Sequence, residues 1–293
     1  MTETLIIGAG LTGLACAYHS ATPYLLLEKA QTPGGLCRSI EKDGFTFDYS
    51  GHFLHLHHDR TKEFIHSLMS KQILRIKRAS SIYINDRIIP YPFQAHLFGL
   101  PAKVKEECLQ GFLTKPDIPA HLQKDFYHWS LATFGEGITR HFMKPYNEKL
   151  WTVSARTLAA DWVAPFVPQP TAEEVKKSAS SDSTGNYGYN VYFYYPAKGG
   201  SQAFVNALLK KVKNIRCGES AVSVNYKKKQ VETSSGTVID YRNLVSTQPL
   251  PELLASMKDL PAPVADAAQR LNWNSVLCLN LGVRTARPAG ETV

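Results

Sequence analysis

The chain has 293 residues, of which 44% are hydrophobic and 20% are charged, and its formal net charge is +8. This length suggests about two globular domains with ample packed core. The five cysteines are widely spaced and form no CxxC pair, so the sequence favours neither a disulfide framework nor a zinc site, and we expect a reducing, cytoplasmic setting.

The predicted partner is a small-molecule substrate. The net charge of +8 suits an anionic ligand such as a nucleotide diphosphate, and it equally suits a generic basic surface. The positive residues are dispersed along the chain, which disfavours nucleic acid as a ligand. No apolar run is long enough to cross a bilayer, and the apolar N-terminal segment lacks the basic start of a signal peptide. We therefore expect a soluble protein without stable membrane insertion, and no metal site.

The first 28 residues predict a dinucleotide-binding βαβ unit. A strand over residues 4–7 is followed by a GxGxxG turn, a helix from Leu11, and a second strand over 24–27 that ends at Glu28. The turn lets backbone approach a pyrophosphate, the helix points free N–H groups at it, and the acid accepts hydrogen bonds from a ribose. An acid rather than arginine there disfavours a ribose 2′-phosphate. The predicted cofactor contacts of this unit are Gly8, Gly10, Leu11, Thr12, Gly13, Glu28 and Lys29.

A second glycine pair follows six residues after Glu28. Glycines let another backbone segment lie against the cofactor, and an arginine can offset phosphate charge. This loop adds four predicted cofactor contacts: Gly34, Gly35, Leu36 and Arg38.

The rest of the chain alternates between mixed and helical segments. The sequence predicts a helix over 61–70, a hairpin of strands 81–84 and 88–91, mainly helix over 101–151, a polar mobile linker over 172–188, a helix over 201–212, and strands over 221–225, 231–233, 244–246 and 275–283.

Five collinear motifs then resemble the UDP-galactopyranose mutases, within the superfamily of amine oxidase and protoporphyrinogen oxidase flavoproteins. They are GFTFDYSGHFLH at 44–55, IPYPFQAHL at 89–97, FMKPYNEKLW at 142–151, NVYFYYPAKGG at 190–200 and GVRTARP at 282–288.

The resemblance implies FAD as cofactor and an α/β fold, in which a discontinuous Rossmann-like FAD-binding domain carries an inserted helical and antiparallel-sheet substrate domain. We expect the FAD-binding domain at 1–75 and 191–248 and the substrate domain at 76–190. Further substrate-domain material is expected at 249–293 and looks cut short, because other mutase motifs would follow Val293.

The resemblance also assigns side chains. It places His52 beside the flavin as the candidate catalytic residue and Val222 near the adenine. The alternative for His52 is a hydrogen-bonded structural histidine. The implied substrate contacts are Tyr91, Phe93, Gln94, Asn147, Trp151 and Asn190. These aromatic and amide residues could instead fill the core.

The implied activity is the interconversion of pyranose and furanose forms of a nucleotide sugar, such as a UDP-sugar, through a flavin N5 adduct, with a reductant such as NAD(P)H. One departure raises an alternative, because Phe166 stands where the mutases have an arginine that grips the diphosphate. An FAD-dependent amine oxidase or protoporphyrinogen-oxidase-like oxidoreductase is the second hypothesis. A non-enzymatic Rab-GDP-dissociation-inhibitor-like binding protein is the third.

Overall fold

The computed structural model describes residues 1–163, 166–181 and 191–284. The chain forms two compact units. The first comprises Met1–Ile76 and the described residues from Phe193 onward, and the second comprises the described residues of Lys77–Tyr192.

Twelve strands and nine α-helices form within the described residues. The strands are β1 (Thr2–Ile7), β2 (Tyr24–Glu28), β3 (Ser39–Lys42), β4 (Phe45–Asp48), β5 (Ile73–Lys77), β6 (Ser81–Ile84), β7 (Arg87–Pro90), β8 (Tyr192–Pro196), β9 (Ile215–Cys217), β10 (Ala221–Asn225), β11 (Gln230–Thr233) and β12 (Val238–Ser246). The helices are α1 (Leu11–His19), α2 (Asp59–Met69), α3 (Ala102–Leu113), α4 (Phe126–Ile138), α5 (Lys144–Trp151), α6 (Ala172–Ser180), α7 (Gln202–Leu209), α8 (Leu250–Ser256) and α9 (Ala262–Gln269).

A six-stranded sheet in the order β10-β11-β12-β1-β2-β9 forms the centre of the first unit. The pairs β12–β1, β1–β2 and β2–β9 are parallel, whereas β10–β11 and β11–β12 are antiparallel. Three further two-stranded sheets pair β3 with β4, β5 with β8, and β6 with β7. This arrangement confirms the predicted α/β fold with a Rossmann-like sheet.

Both faces of the parallel strands are covered, which explains why β1 reads as a continuous apolar run. Ile6 points to one face, where Leu14 of α1 and Val205 of α7 pack with it. Its neighbours Leu5 and Ile7 point to the opposite face, where they pack among side chains of the β10–β12 layer. Successive strand residues alternate between faces, so one strand supplies both cores.

The second unit has its own core, built from α3, α4, α6 and the β6–β7 hairpin. Helices α3 and α4 approach closely at glycines: a Cβ added to Gly135 would overlap the Gly111 carbonyl. Gly135 has a φ of 75°, which marks a kink inside α4. A π-helical turn, Thr139–Met143, then joins α4 to α5.

Three expectations differ from the structure. The first 9 residues of the predicted mobile linker form helix α6, because Thr171 and Glu174 make a reciprocal capping box and Val175 is buried. The rest of that linker, 182–188, lies outside the described residues. The predicted strand over 275–283 is not formed, and residues 271–284 are without regular secondary structure. Leu277 and Leu279 there are 97% and 79% exposed, so no neighbouring strand covers them.

Residues from 249 to 284 also belong to the first unit rather than to substrate-domain material. Leu253 of α8 packs with the core side chains of β10 and β11, and the Asn280 amide donates to the Asp48 carbonyl oxygen. These contacts tie the segment to the sheet unit. Among the helices of the described residues, none has both the length and the apolar character that a bilayer crossing requires.

Candidate functional site

A cavity of about 650 Å³ lies at the carboxyl ends of β1, β2 and β12 in the first unit. In doubly wound sheets this edge is where ligands bind. The lining residues come from both glycine loops and from two distant segments: Ile7, Gly8, Gly10, Leu11, Thr12, Leu27, Glu28, Lys29, Gly34, Gly35, Leu36, Cys37, Arg38, Glu219, Ser220, Ala221, Thr247, Gln248, Pro249 and Glu252.

The two glycine loops meet through their backbones. The Gly34 N–H donates to the Ala9 carbonyl oxygen at 2.8 Å. A Cβ added to Gly35 would lie 3.2 Å from the Gly10 Cα, whereas one added to Gly10 would have no neighbour closer than 4.0 Å. The space over Gly10 is therefore open, and a ligand can reach its backbone.

Two other glycines of the first motif serve the fold itself. Gly8 has a φ of +96°, a conformation that strongly favours glycine. Gly13 does not line the cavity, and a Cβ there would overlap the Gly8 carbonyl. The third glycine of the motif thus permits helix α1 to pack closely on the strand turn, as its position predicts.

Glu28 is only 7% exposed and lies at the end of β2. Its two carboxylate oxygens accept the Ala9 and Ala30 N–H groups, both at 2.8 Å. A carboxylate offers about four lone-pair sites, so acceptor capacity remains for a ligand. The acid therefore orders the first loop and presents a negative charge to the cavity.

Charged side chains surround the remaining wall. Arg38 donates from Nε to the Gly35 carbonyl at 3.0 Å, and its guanidinium lies 4.9 Å from the centre of the Tyr49 ring. Lys29 forms an exposed ion pair with Glu252 at 3.2 Å. Arg38 is thus held beside the loop, where it could neutralise a phosphate.

Sequence reasoning missed the wall formed by residues 219–221 and 247–252. Thr247 donates from Oγ1 to the Ile7 and Gly8 carbonyls at 3.0 and 3.1 Å, closing the turn from the other side. Glu219 accepts hydrogen bonds from Ser235 and Thr233, which lower the pKa of its carboxyl. A polar residue directly after a predicted strand, as Thr247 is, was the available signal.

Val222 and His52 are not among the residues that line the cavity. Ala221, the first residue of β10, lines it instead, and a one-residue step along a strand points the next side chain to the opposite face. The His52 Nδ1 lies 2.9 Å from the carbonyl oxygen of Ser50, so the ring is positioned by its own loop.

The predicted substrate residues lie in the second unit. Phe93 is fully buried and stacks on Phe142, with ring centres 4.8 Å apart. Tyr91 is 37% exposed, and the Arg78 guanidinium lies 5.1 Å from its ring centre. Gln94 is 1% exposed and donates from Nε2 to the Pro168 carbonyl at 2.6 Å.

The α5 residues have different exposures. Asn147 is buried and donates to the Met143 carbonyl at 2.8 Å, one turn earlier. Trp151 is 38% exposed and packs edge-on against Trp162. Tyr146, which the sequence did not single out, is 51% exposed and stacks on Phe142 with ring centres 5.1 Å apart. Asn190 lies outside the described residues.

Residues 6–68 match the family described as an NAD(P)-binding Rossmann-like domain. A solved structure of reduced UDP-galactopyranose mutase is similar over 93% of this chain and 62% of its own, with 28% identity and a TM-score of 0.84. The chain shares the fold of UDP-galactopyranose mutase. The resemblance inferred from the five motifs is thereby confirmed.

Two further structures share the fold at lower identity. A protein from Exiguobacterium sp. 255-15 assigned as a protoporphyrinogen oxidase covers 90% of this chain and 63% of its own, at 17% identity and a TM-score of 0.64. A putrescine oxidase double mutant covers 92% and 63%, at 16% identity and a TM-score of 0.58. At this level of identity, the likeness shows a shared fold. The chain spans somewhat less than two thirds of each matched protein.

The residues present fit a bound dinucleotide. The open backbone surface over Gly10, the adjoining Gly34–Gly35 turn, the buried Glu28 and the cation Arg38 supply close approach, hydrogen bonds and opposite charge. A dinucleotide-binding Rossmann-like domain is therefore present in the first unit.

Proposed function

We propose that the protein binds FAD in the cavity of the first unit and interconverts the pyranose and furanose forms of a nucleotide sugar. The observation that carries this proposal is the second glycine loop, which adjoins Gly10 by backbone contact beside the buried Glu28. The likeness to UDP-galactopyranose mutase at 28% identity supports the choice of reaction.

The first unit would hold the cofactor through groups of fixed position. The Gly10 and Gly34–Gly35 backbones would receive the pyrophosphate, Glu28 a ribose, and Arg38 would offset phosphate charge. The start of β10 would lie toward the adenine through Ala221, which lines the cavity, whereas the expected contact of Val222 would be limited to its backbone. When bound, FAD supplies the reactive nitrogen and the electrons of the reaction. His52, held by Ser50, would lie next to the flavin.

The second unit would supply substrate contacts. Tyr91 and Trp151 present partly exposed rings, and stacking a base on such a ring is worth about 1–3 kcal/mol. Within the described residues, the buried Gln94 Oε1 has no hydrogen-bond partner, and Gln94 stays in the proposed set because of the motif in which it lies. Asn147 and Asn190 complete the proposed set of substrate contacts. Phe93 would support this site indirectly, because its buried ring stacks on Phe142.

A second candidate function is supported by Phe166. This side chain is 52% exposed at the position where the mutases carry a diphosphate-binding arginine. An apolar side chain there suits an apolar substrate better than a diphosphate. The second candidate is therefore an FAD-dependent oxidase or dehydrogenase, in which FAD accepts electrons from the substrate.

One experiment separates these possibilities. The purified protein is loaded with FAD, reduced with dithionite, and given UDP-galactopyranose, and the furanose form is followed by chromatography. Furanose formation without stoichiometric consumption of reductant supports the mutase. Failure to convert the sugar, combined with oxygen uptake on amines or porphyrinogens, would establish the oxidoreductase. A protein that cannot be loaded with FAD would contradict both and favour a binding protein.

A further inference from the structure

Asp48, at the end of β4, stands outside the cavity lining but accepts four hydrogen bonds. Oδ1 accepts from Ser39 Oγ at 2.5 Å and from the Ser201 N–H at 3.0 Å. Oδ2 accepts from the Tyr195 hydroxyl at 2.6 Å and from Ser201 Oγ at 2.8 Å. One carboxylate therefore ties together β3, β8 and the start of α7, which lie far apart in sequence.

The local fold is built around this carboxylate. Gly200 has a φ of 59°, and a Cβ there would lie 2.6 Å from Asp48 Oδ1, so the turn into α7 leaves room only for hydrogen. Burial raises the pKa of Asp48, but the hydrogen bonds from Ser39, Tyr195 and Ser201 outweigh it, and the pKa is lowered overall. The group is thus held as an anion, which also suits the positive end of a helix.

One of these partners, Ser39, leads directly to the cofactor cavity. Ser39 follows Arg38, the last cavity-lining residue of the second glycine loop. Ser39 Oγ also accepts the Gln202 N–H at 3.0 Å, which links the loop to the first turn of α7. Helix α7 also contacts the loop directly, because a Cβ added to Gly34 would lie 3.2 Å from the Val205 side chain. The loop is therefore clamped to α7 by Ser39 and supported by α7 beneath Gly34.

We infer that Asp48 is the positioning residue of the second glycine loop, and that it sets cofactor affinity by fixing residues 34–38 against α7. This inference rests on the proposed FAD binding. It goes beyond that proposal because Asp48 touches no part of the cavity. Its effect is transmitted through Ser39, whereas the bond from Tyr195 reaches the same carboxylate from β8. Both hydroxyl groups thus donate to the same carboxylate, but only Ser39 is also joined to the loop.

That difference provides a matched pair of variants. Ser39→Ala removes the hydroxyl that joins the loop both to Asp48 and to the Gln202 N–H. Tyr195→Phe removes a bond to the same carboxylate that does not lead to the loop. Loss of one hydrogen bond to a charged group corresponds to about a tenfold change in an equilibrium constant. We expect Ser39→Ala to raise the FAD dissociation constant about tenfold or more, and Tyr195→Phe to change it less than about twofold. Asp48→Asn serves as a third variant if it folds.

The test has two readouts. FAD affinity is measured by fluorescence titration well below the melting temperature of each variant, and amide hydrogen exchange is measured for peptides covering 33–39 without FAD. Faster exchange and weaker binding in both Ser39→Ala and Asp48→Asn, with neither change in Tyr195→Phe, support the inference. Equal effects of Ser39→Ala and Tyr195→Phe, or effects that follow only the melting temperature, would overturn it. If the wild-type protein does not bind FAD, the proposed function fails, while hydrogen exchange still decides whether Asp48 orders the loop.

Discussion

Gly10 and Gly13 belong to one motif, but the structure predicts opposite consequences for a methyl group at the two positions. At Gly10 the φ is −71°, which alanine adopts freely, and an added Cβ has no neighbour within about 4 Å other than the Gly35 Cα at 4.0 Å. Gly10→Ala should therefore leave the unliganded fold within about 0.5 kcal/mol of wild type. At Gly13 the methyl group would overlap the Gly8 carbonyl, and backbone cannot move aside as a flexible side chain can. Gly13→Ala should cost about 1–3 kcal/mol of folding free energy.

The order reverses for cofactor binding. A methyl group on Gly10 would occupy the space through which a pyrophosphate reaches the loop. The loss of one or more hydrogen bonds to a charged phosphate is worth about 1.5–3 kcal/mol, or roughly 10- to 150-fold in affinity. Melting curves without FAD measure the first effect, and fluorescence titration with FAD measures the second. Normal FAD affinity in Gly10→Ala, or a fall in melting temperature as large as that of Gly13→Ala, would refute the assigned geometry.

Three further outcomes are expected. The folded-state pKa of Asp48 is lowered, so its contribution to stability is present above the unfolded pKa and is lost as pH falls through the folded pKa. The melting temperature of the wild type should therefore exceed that of Asp48→Asn by less below about pH 4. A difference in melting temperature that does not depend on pH would contradict this. Glu28→Gln replaces one acceptor oxygen with an amide donor that faces the Ala9 or Ala30 N–H. The free energy of unfolding, measured with urea in the absence of FAD, should fall by about 1–3 kcal/mol. An unchanged free energy of unfolding would show that these hydrogen bonds contribute little. Trp151→Ala should leave FAD binding unchanged and lower turnover, because the ring is partly exposed in the second unit; wild-type kinetics would remove this residue from the proposed substrate site.

Local sequence patterns were sufficient to predict the first βαβ elements of the first unit and the β6–β7 hairpin. Strand β1, helix α1 and strand β2 form where the apolar runs and the glycine spacing predict them. The hairpin turn has Asn85 and Asp86 at positive φ, as those residue types favour. These elements are specified by neighbours in sequence, so one sequence is enough to place them.

Features that depend on distant contacts were not predictable in the same way. Residues 172–180 were predicted as a linker because of their polar, serine-rich composition, but they form a helix. The capping box of Thr171 and Glu174 was the signal in the sequence that favoured this helix. Phe93 and Tyr91 lie in the same motif, yet one ring is fully buried and the other is 37% exposed. Composition cannot distinguish such neighbours, because exposure is decided by which element packs against each side chain.

The cavity walls also have a consequence for synthesis of the protein. The loops at Gly10 and Gly34 emerge from the ribosome early, but Glu219 and Thr247, which close the other side, are translated about 200 residues later. Strand β1 pairs on one side with β2 and on the other with β12, so a nascent chain lacking β12 leaves one edge of β1 without its partner. Cofactor capture should therefore follow the synthesis of β12, and an N-terminal fragment ending near residue 68 should not retain a nucleotide.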